Sequence, residues 1–176
     1  MNKFAIILGD PNSINSEIIS KTWKKIKPSL KKKLYLIANF DLMYKQLKKI
    51  KSTMAICKIS QINEETIYNK LKIIDVPLDF KNPFNVPLKN SRKYIFKCFD
   101  LAHKLSQNKH FKGLINCPIN KRLLNETRTI GVTEFLASKC KIKNGSEVMF
   151  IHNKKLSVVP LTTHISIRKV SKRINK

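Results

Sequence analysis

Two hydroxyl groups and an imidazole follow an apolar segment near the end of the sequence. Thr162, Thr163 and His164 come directly after the stretch Val158–Leu161. In α/β proteins the carboxyl ends of strands are the usual place for active sites, and a neutral imidazole is a common ligand of divalent metals. One histidine does not make a metal site, and a partly buried histidine with satisfied hydrogen bonds explains the same pattern.

Three further turns lead into a predicted helix and carry polar side chains. Residues 9–11 (Gly-Asp-Pro) lack the glycine spacing of a dinucleotide-binding fingerprint. Lys121 stands near a predicted helix start, where anions are favoured, although one solvated lysine among many is the simpler explanation. Thr133 either caps a helix or offers its hydroxyl and backbone N–H to a phosphate.

Short apolar runs alternate with amphipathic stretches along the chain, which predicts an α/β fold. Strands are predicted at residues 4–8, 34–38, 54–59, 71–76 and 112–117, and helices at 13–27, 41–50, 91–107, 121–126 and 133–140. The proline-containing segment 77–90 predicts a loop, and residues 148–161 a hairpin. Residues 165–174 predict the opening of a further helix. We expect a first α/β domain over residues 1–112 and the start of a second, incomplete one over 113–176.

The net charge of +25, from 36 basic and 11 acidic residues, raises the hypothesis of nucleic-acid binding. The basic residues are scattered along the whole chain, and five of them are arginine, the residue that makes bidentate phosphate and base contacts. Aromatic residues amount to 8% and do not alternate with basic ones as a stacking surface would require. A specific nucleic-acid partner is therefore not expected, and a basic binding module remains the minor alternative.

Cysteine spacing and hydropathy indicate an intracellular protein. Cys57, Cys98, Cys117 and Cys140 form no Cys-x-x-Cys pair, so neither a zinc ribbon nor a redox motif is predicted and reduced thiols are expected. No apolar run approaches the roughly 18–20 residues that cross a bilayer, and the first residues do not have the pattern of a signal peptide. We expect a cytoplasmic protein without a membrane partner.

Four segments, in this order and spacing, resemble the 4-hydroxythreonine-4-phosphate dehydrogenase family over nearly the whole chain. They are Gly9-Asp10-Pro11 with Glu17, Cys117-Pro118-Ile119-Asn120-Lys121, Gly131-Val132-Thr133-Glu134-Phe135, and Pro160-Leu161-Thr162-Thr163-His164. The last segment is the most specific.

The resemblance implies the three-layer α/β architecture of isocitrate and isopropylmalate dehydrogenases, a homodimer, and an active site between two domains. The implied reaction oxidises a small phosphorylated alcohol with NAD or NADP and then decarboxylates the product, with a divalent metal (Zn, Mg or Co) polarising the oxygen. His164 matches the first of three metal-binding histidines. Val132 and Thr133 match the substrate-phosphate positions, and Lys121 is expected near an anion. No catalytic or cofactor-binding residue is assigned.

The sequence departs from the family pattern at several positions. Val132 stands where the family has a histidine that contacts the phosphate. Ser13, Asn15 and Ser16 replace Gly, Gly and Pro in the first turn. Family members are longer, so we expect this chain to be the first half of such an enzyme, truncated within the second domain and inactive alone. A non-catalytic remnant or partner subunit is the alternative.

Overall fold

The computed structural model describes residues 2–62, 69–124, 131–140, 147–162 and 165–174. It consists of two compact units, Met1–Ile130 and Gly131–Lys176. The predicted boundary between residues 112 and 113 does not coincide with this division. The strand Gly113–Asn116 pairs with Phe4–Ile7, which places it in the sheet of the first unit.

The first unit is built on a sheet of five parallel strands in the order β3-β4-β2-β1-β5. They are β1 (Phe4–Ile7), β2 (Leu34–Ala38), β3 (Ile56–Ile59), β4 (Leu71–Asp75) and β5 (Gly113–Asn116). The sequence predicted all five, because each is a short run dominated by apolar residues. Such runs are typical of strands buried on both faces, and every residue of β2 is buried.

Helices cover both faces of this sheet. The covering helices are α1 (Asn15–Lys25), α3 (Phe40–Lys49) and α4 (Leu88–Gln107). A short helix without buried residues, α2 (Pro28–Lys31), connects α1 to β2. Leu34 and Leu36 of β2 belong to a hydrophobic cluster with residues of α1 and α3. The alternate residues Tyr35 and Ile37 point to the opposite face, where α4 contacts β1, β2 and β5. This arrangement confirms the predicted three-layer α/β class.

Helix α1 differs from the prediction in its inward face. The apolar spacing in the predicted helix 13–27 places Ile14, Ile18, Ile19 and Trp23 on its inner face. In the structure, however, 63% of the surface of Ile14 and 36% of that of Ile18 are exposed. The helix starts at Asn15, so Ile14 precedes its first turn. Its inward stripe is partly polar and consists of Asn15, Ser16, Ile19, Ser20 and Trp23.

The second unit contains α5 (Val132–Lys139) and a short antiparallel hairpin of β6 (Ile151–His152) and β7 (Ser157–Val158). The hairpin confirms the prediction for residues 148–161. The predicted helix at 165–174 is wrong over the described residues, which hold only a short 3₁₀ helix, Ile167–Lys169. Ile167 is 88% exposed, and a helix with no surface on which to bury its apolar face gains little from forming.

Across the part of the chain that the structure covers, no helix is both long and apolar enough to cross a membrane.

Candidate functional site

The turn that follows β1 lies at the carboxyl edge of the sheet and needs its glycine. Gly9 has φ +77°, a conformation that glycine adopts without steric cost. A methyl group on its Cα would lie 3.0 Å from the carbonyl oxygen of Pro118. Asp10 completes the turn, because its carboxylate accepts a hydrogen bond from the backbone N–H of Asn12 at 2.9 Å. The turns after β1 and β5 therefore approach each other closely.

Buried amide side chains hold this edge together. Asn15 donates hydrogen bonds to the carbonyl oxygens of Leu8 at 2.7 Å and Pro118 at 2.9 Å. Gln46 of α3 donates to the carbonyl oxygens of Pro11 at 2.7 Å and Pro83 at 2.6 Å. Both amides are 1% exposed, so they satisfy backbone acceptors that water cannot reach.

Lys121 lies just after the β5 turn, in the first unit. It opens a 3₁₀ helix, Lys121–Leu123, and its side chain is exposed. Asn120 caps this turn by accepting from the backbone N–H of Arg122 at 3.1 Å. The helix start that the sequence predicted here is present, although it is shorter than expected. The role of Lys121 near an anion stays a prediction.

The thiol of Cys117, at the end of β5, has no features of a reactive site. It is 8% exposed, and burial raises the pKa of Cys117 from an ordinary value of 9.0 to about 11. A thiol that stays protonated at neutral pH is a poor nucleophile. We assign Cys117 a packing role.

A cavity of about 350 Å³ in the second unit brings Thr133 and Thr162 together. Its polar lining consists of Thr133, Glu134, Glu147, Thr162 and Arg173. A guanidinium and hydroxyl groups bind phosphates and carboxylates through charge-assisted hydrogen bonds, whereas the two carboxylates favour a cation. The cavity therefore suits a ligand that carries both an anionic group and an amine.

Thr133 lines this cavity, but it is not a helix cap. The N-cap residue of α5 is Gly131, so Val132 and Thr133 are the first two helical residues. The backbone N–H groups of a first turn have no partner within the helix and favour an anion. This position contradicts the capping explanation for Thr133. Its role at a phosphate stays a prediction. Val132 is half-buried and does not line the cavity.

His164 and Thr163 lie outside the described residues. Thr162 and Ile165, which stand on either side of them in the sequence, both line the cavity. Within the described residues, no group of three or more His, Cys, Asp or Glu side chains could hold a metal ion. The described side chains alone therefore do not form the predicted metal centre.

Sequence analysis missed Arg173 and Glu147 as cavity residues. The terminal segment was interpreted only by its apolar spacing, as a helix. The one available signal was that arginine is rare in this lysine-rich chain, so that each arginine was a candidate for bidentate anion binding.

Comparison with known proteins identifies related sequences. The family described as "Pyridoxal phosphate biosynthetic protein PdxA" matches residues 29–176. A 4-hydroxythreonine-4-phosphate dehydrogenase of a Sulfurihydrogenibium species is 31% identical over 180 residues, which cover 100% of this chain and 54% of that protein. The enzyme of the same name from Zymomonas mobilis is 26% identical and is matched over 99% of this chain and 52% of its own length.

A solved structure shows the same fold. The 4-hydroxythreonine-4-phosphate dehydrogenase from Klebsiella pneumoniae superposes with a TM-score of 0.83 at 24% sequence identity, over 99% of this chain and 54% of that one. The chain thus spans about half the length of the curated relatives and solved structures that it matches.

Proposed function

The chain belongs to the pyridoxal phosphate biosynthetic protein PdxA family, and on that premise we propose that the whole protein is a 4-hydroxythreonine-4-phosphate dehydrogenase. Its reaction would transfer a hydride from the secondary alcohol of 4-phosphooxy-threonine to NAD or NADP and release a proton. The resulting β-keto acid would lose carbon dioxide and give an amino-ketone phosphate. The family match over residues 29–176 is the observation that carries this proposal.

The second-unit cavity supports a role in holding the substrate. In this proposal Thr133 and Arg173 bind the phosphate, and Glu134 and Glu147 face the amino group. The first turn of α5 adds backbone N–H groups beside Thr133. This division of charges matches a substrate that is both a phosphate ester and an amine.

Arg173 can also compensate for the valine at position 132, where the family has a histidine. Valine donates no hydrogen bond, so the contact expected from the family histidine, worth about 1.5–3 kcal/mol for a charged group, is missing. A guanidinium in the same cavity can make such a contact in bidentate form. We propose that Arg173 supplies the charge that Val132 does not.

We further propose His164 as one ligand of a divalent metal (Zn, Mg or Co), following the family motif. Catalytic zinc sites use about three protein ligands, and the described residues provide no such group. The remaining ligands would lie in the part of the family's length that this chain does not span. When bound, the metal would polarise the substrate oxygen. The homodimer and the cytoplasmic location are proposed on the same resemblance.

The decisive experiment measures reduction of NAD or NADP by the whole protein with 4-phosphooxy-threonine and a divalent metal. Turnover supports the proposal. A whole protein that binds the substrate but reduces neither nucleotide would instead favour a non-catalytic remnant or partner subunit.

Two matched arginine variants test the cavity separately from catalysis. Binding of inorganic phosphate to the full chain is measured by calorimetry for Arg173→Gln and for Arg168→Gln, which lies outside the cavity lining. We expect Arg173→Gln to weaken binding by about ten- to one hundred-fold, the factor that loss of a charged hydrogen bond gives. Equal effects of the two variants would show that general positive charge, not the cavity, attracts the anion.

A further inference from the structure

The order of the strands places a topological switch point at the carboxyl edge of the first unit, where folds of this class commonly have a crevice. From β1 the sheet extends to β2 on one side and to β5 on the other. In open α/β sheets, ligands commonly bind outside the carboxyl ends of the strands at such a switch point. Here the crevice lies between the turn that follows β1 and the turn that follows β5.

The side chain of Asn15 occupies this crevice. Its Nδ2 group donates to the carbonyl oxygens of Leu8 at 2.7 Å and Asp10 at 3.3 Å, both on the β1 side. It also donates to the carbonyl oxygen of Pro118 at 2.9 Å, on the β5 side. Two amide hydrogens are therefore shared among three backbone acceptors in the turns that follow β1 and β5, and the acceptor of the β5 turn is 103 residues from Asn15 in sequence.

Little space remains beside this amide. A methyl group on Gly9 would lie 3.2 Å from Nδ2 of Asn15 as well as 3.0 Å from the carbonyl oxygen of Pro118. Asn15 and Ser16 are each 1% exposed. The two turns are in direct contact through Asn15, and even a methyl group beside its amide would be crowded.

The polar atoms in the crevice also disfavour an anion. Oδ1 of Asn15 and Oγ of Ser16 are enclosed and have no hydrogen-bond partner among the described residues. A phosphate oxygen placed there would face the amide oxygen, an acceptor, and the three carbonyl oxygens that Nδ2 now satisfies. Of these enclosed atoms without a partner, the Ser16 hydroxyl could donate to an anion, but it is 1% exposed and stands beside more acceptors than donors.

We propose that Asn15 closes the switch-point crevice, so that this turn binds no nucleotide or phosphate and instead fixes the β5 turn against the β1 turn. Asn15 is in this sense a positioning residue for the segment that leads to Lys121. The inference does not rest on the proposed function, because a dehydrogenase that binds its nucleotide elsewhere is compatible with a closed crevice.

Thiol labelling tests the closure without requiring activity. Cys117 precedes Pro118 and is 8% exposed, whereas Cys98 lies in the core at 0% exposure. In Asn15→Ala, we expect alkylation of Cys117 under native conditions to accelerate on the order of tenfold or more, with Cys98 unchanged. Ser16→Ala is the matched control, since it removes an equally buried atom that has no partner, and it should leave both rates unchanged.

The opposite labelling results would overturn the proposal. If Cys117 reacts at the wild-type rate in Asn15→Ala, the amide does not hold the two turns together. If Cys117 and Cys98 accelerate together, Asn15 supports the fold as a whole and does not act at the crevice.

A titration of the wild-type chain keeps the proposal testable even if Asn15→Ala does not fold. Inorganic phosphate, ADP and NAD⁺ are added separately while backbone amide resonances are followed by NMR. We expect residues 9–17 to remain unperturbed by each probe. Saturable shifts at Gly9 or Asn15 would show an open ligand site and refute the closure.

Discussion

The side chain of Asn12 forms two hydrogen bonds with the backbone of Val86, a residue 74 positions further along the chain. Nδ2 donates to the carbonyl oxygen of Val86 at 2.9 Å, and Oδ1 accepts from its N–H at 2.7 Å. Val86 is 2% exposed and belongs to the hydrophobic cluster beneath α1 and α3. One amide therefore joins the β1 turn to the loop that precedes α4.

Asn12→Ala should destabilise the chain by about 1–3 kcal/mol, because it leaves the buried N–H of Val86 without its partner. The C=O of Val86 keeps only a longer hydrogen bond from the hydroxyl of Ser91, at 3.4 Å. Urea unfolding followed by circular dichroism measures the difference. Asn82→Ala removes an exposed hydrogen bond to the N–H of Phe84 and should change the unfolding free energy by less than about 0.5 kcal/mol. Equal losses in the two variants would contradict a special role for Asn12.

Gly9→Ala should also destabilise the chain, whereas Gly113→Ala should not. Alanine at position 9 would adopt the φ of +77° at a cost of about 1–2 kcal/mol and would place its methyl 3.0 Å from the carbonyl oxygen of Pro118. At position 113 the added methyl meets the ring of Phe4 at 3.5 Å, an ordinary contact. Thermal melts of both variants compare the two sites, and a lower melting temperature for Gly113→Ala than for Gly9→Ala would refute this interpretation.

The buried thiols predict a loss of stability at alkaline pH. Burial raises the pKa of Cys98 from an ordinary value of 9.0 to about 12 and that of Cys117 to about 11. Burial also raises the pKa of Tyr94 well above its usual range. Their protonated forms are favoured by folding, so this contribution is fully present below pH 9 and is lost as the pH rises towards these folded-state values.

Urea unfolding at a series of pH values above 9 tests this expectation. Because each buried thiol ionises more readily in the unfolded state, each should lower the free energy of unfolding by up to about 1.4 kcal/mol for every pH unit above 9. Cys98→Ala should lower the free energy of unfolding at every pH. Above pH 9, however, that free energy should fall less steeply with pH than in the wild type. Cys140→Ala, at an exposed position, should leave the slope as it is, and a stability that stays constant to pH 11 would disprove the linkage.

Val132→His tests the proposed phosphate site in the whole protein. An imidazole at the first position of α5 adds a donor that valine lacks, so we expect KM for the phosphorylated substrate to fall or stay constant with kcat unchanged. Steady-state kinetics measures both constants, and Val132→Ala is the control that adds no donor. A large loss of kcat in Val132→His alone would mean that the first turn of α5 does not tolerate an imidazole at this half-buried position.

The sheet and the layer order could be predicted from sequence because their signals are local. The segment Leu34–Ala38, for example, is a run of five apolar residues, and the structure has a strand with the same bounds. The start of α4 was less accurate. It was predicted at Ser91 but lies at Leu88, directly after Pro87, because the prolines of the preceding loop masked the first turn.

The connections that shape the two turns could not be predicted in the same way. Asn15 contacts Pro118 and Asn12 contacts Val86 only because the fold brings distant segments together. No local pattern distinguishes these amides from the chain's other asparagines. The helix start near Thr133 could be predicted because its signal is local. The contact of Arg173 with the same cavity could not, because it depends on how the last residues fold back towards α5.

The pairing of β1 with β5 has a consequence for how the protein forms during synthesis. Phe4 pairs with Leu34 on one side and with Gly113 on the other. The first neighbour is available after a short stretch of translation, whereas the second emerges only after most of the first unit has been made. One edge of β1 thus stays unpaired on the ribosome through that interval.

Pairings between segments so far apart form slowly, and an unpaired strand edge is prone to aggregate. The nascent chain is therefore most vulnerable before residue 116 is released, and covering that edge is the task a chaperone would perform.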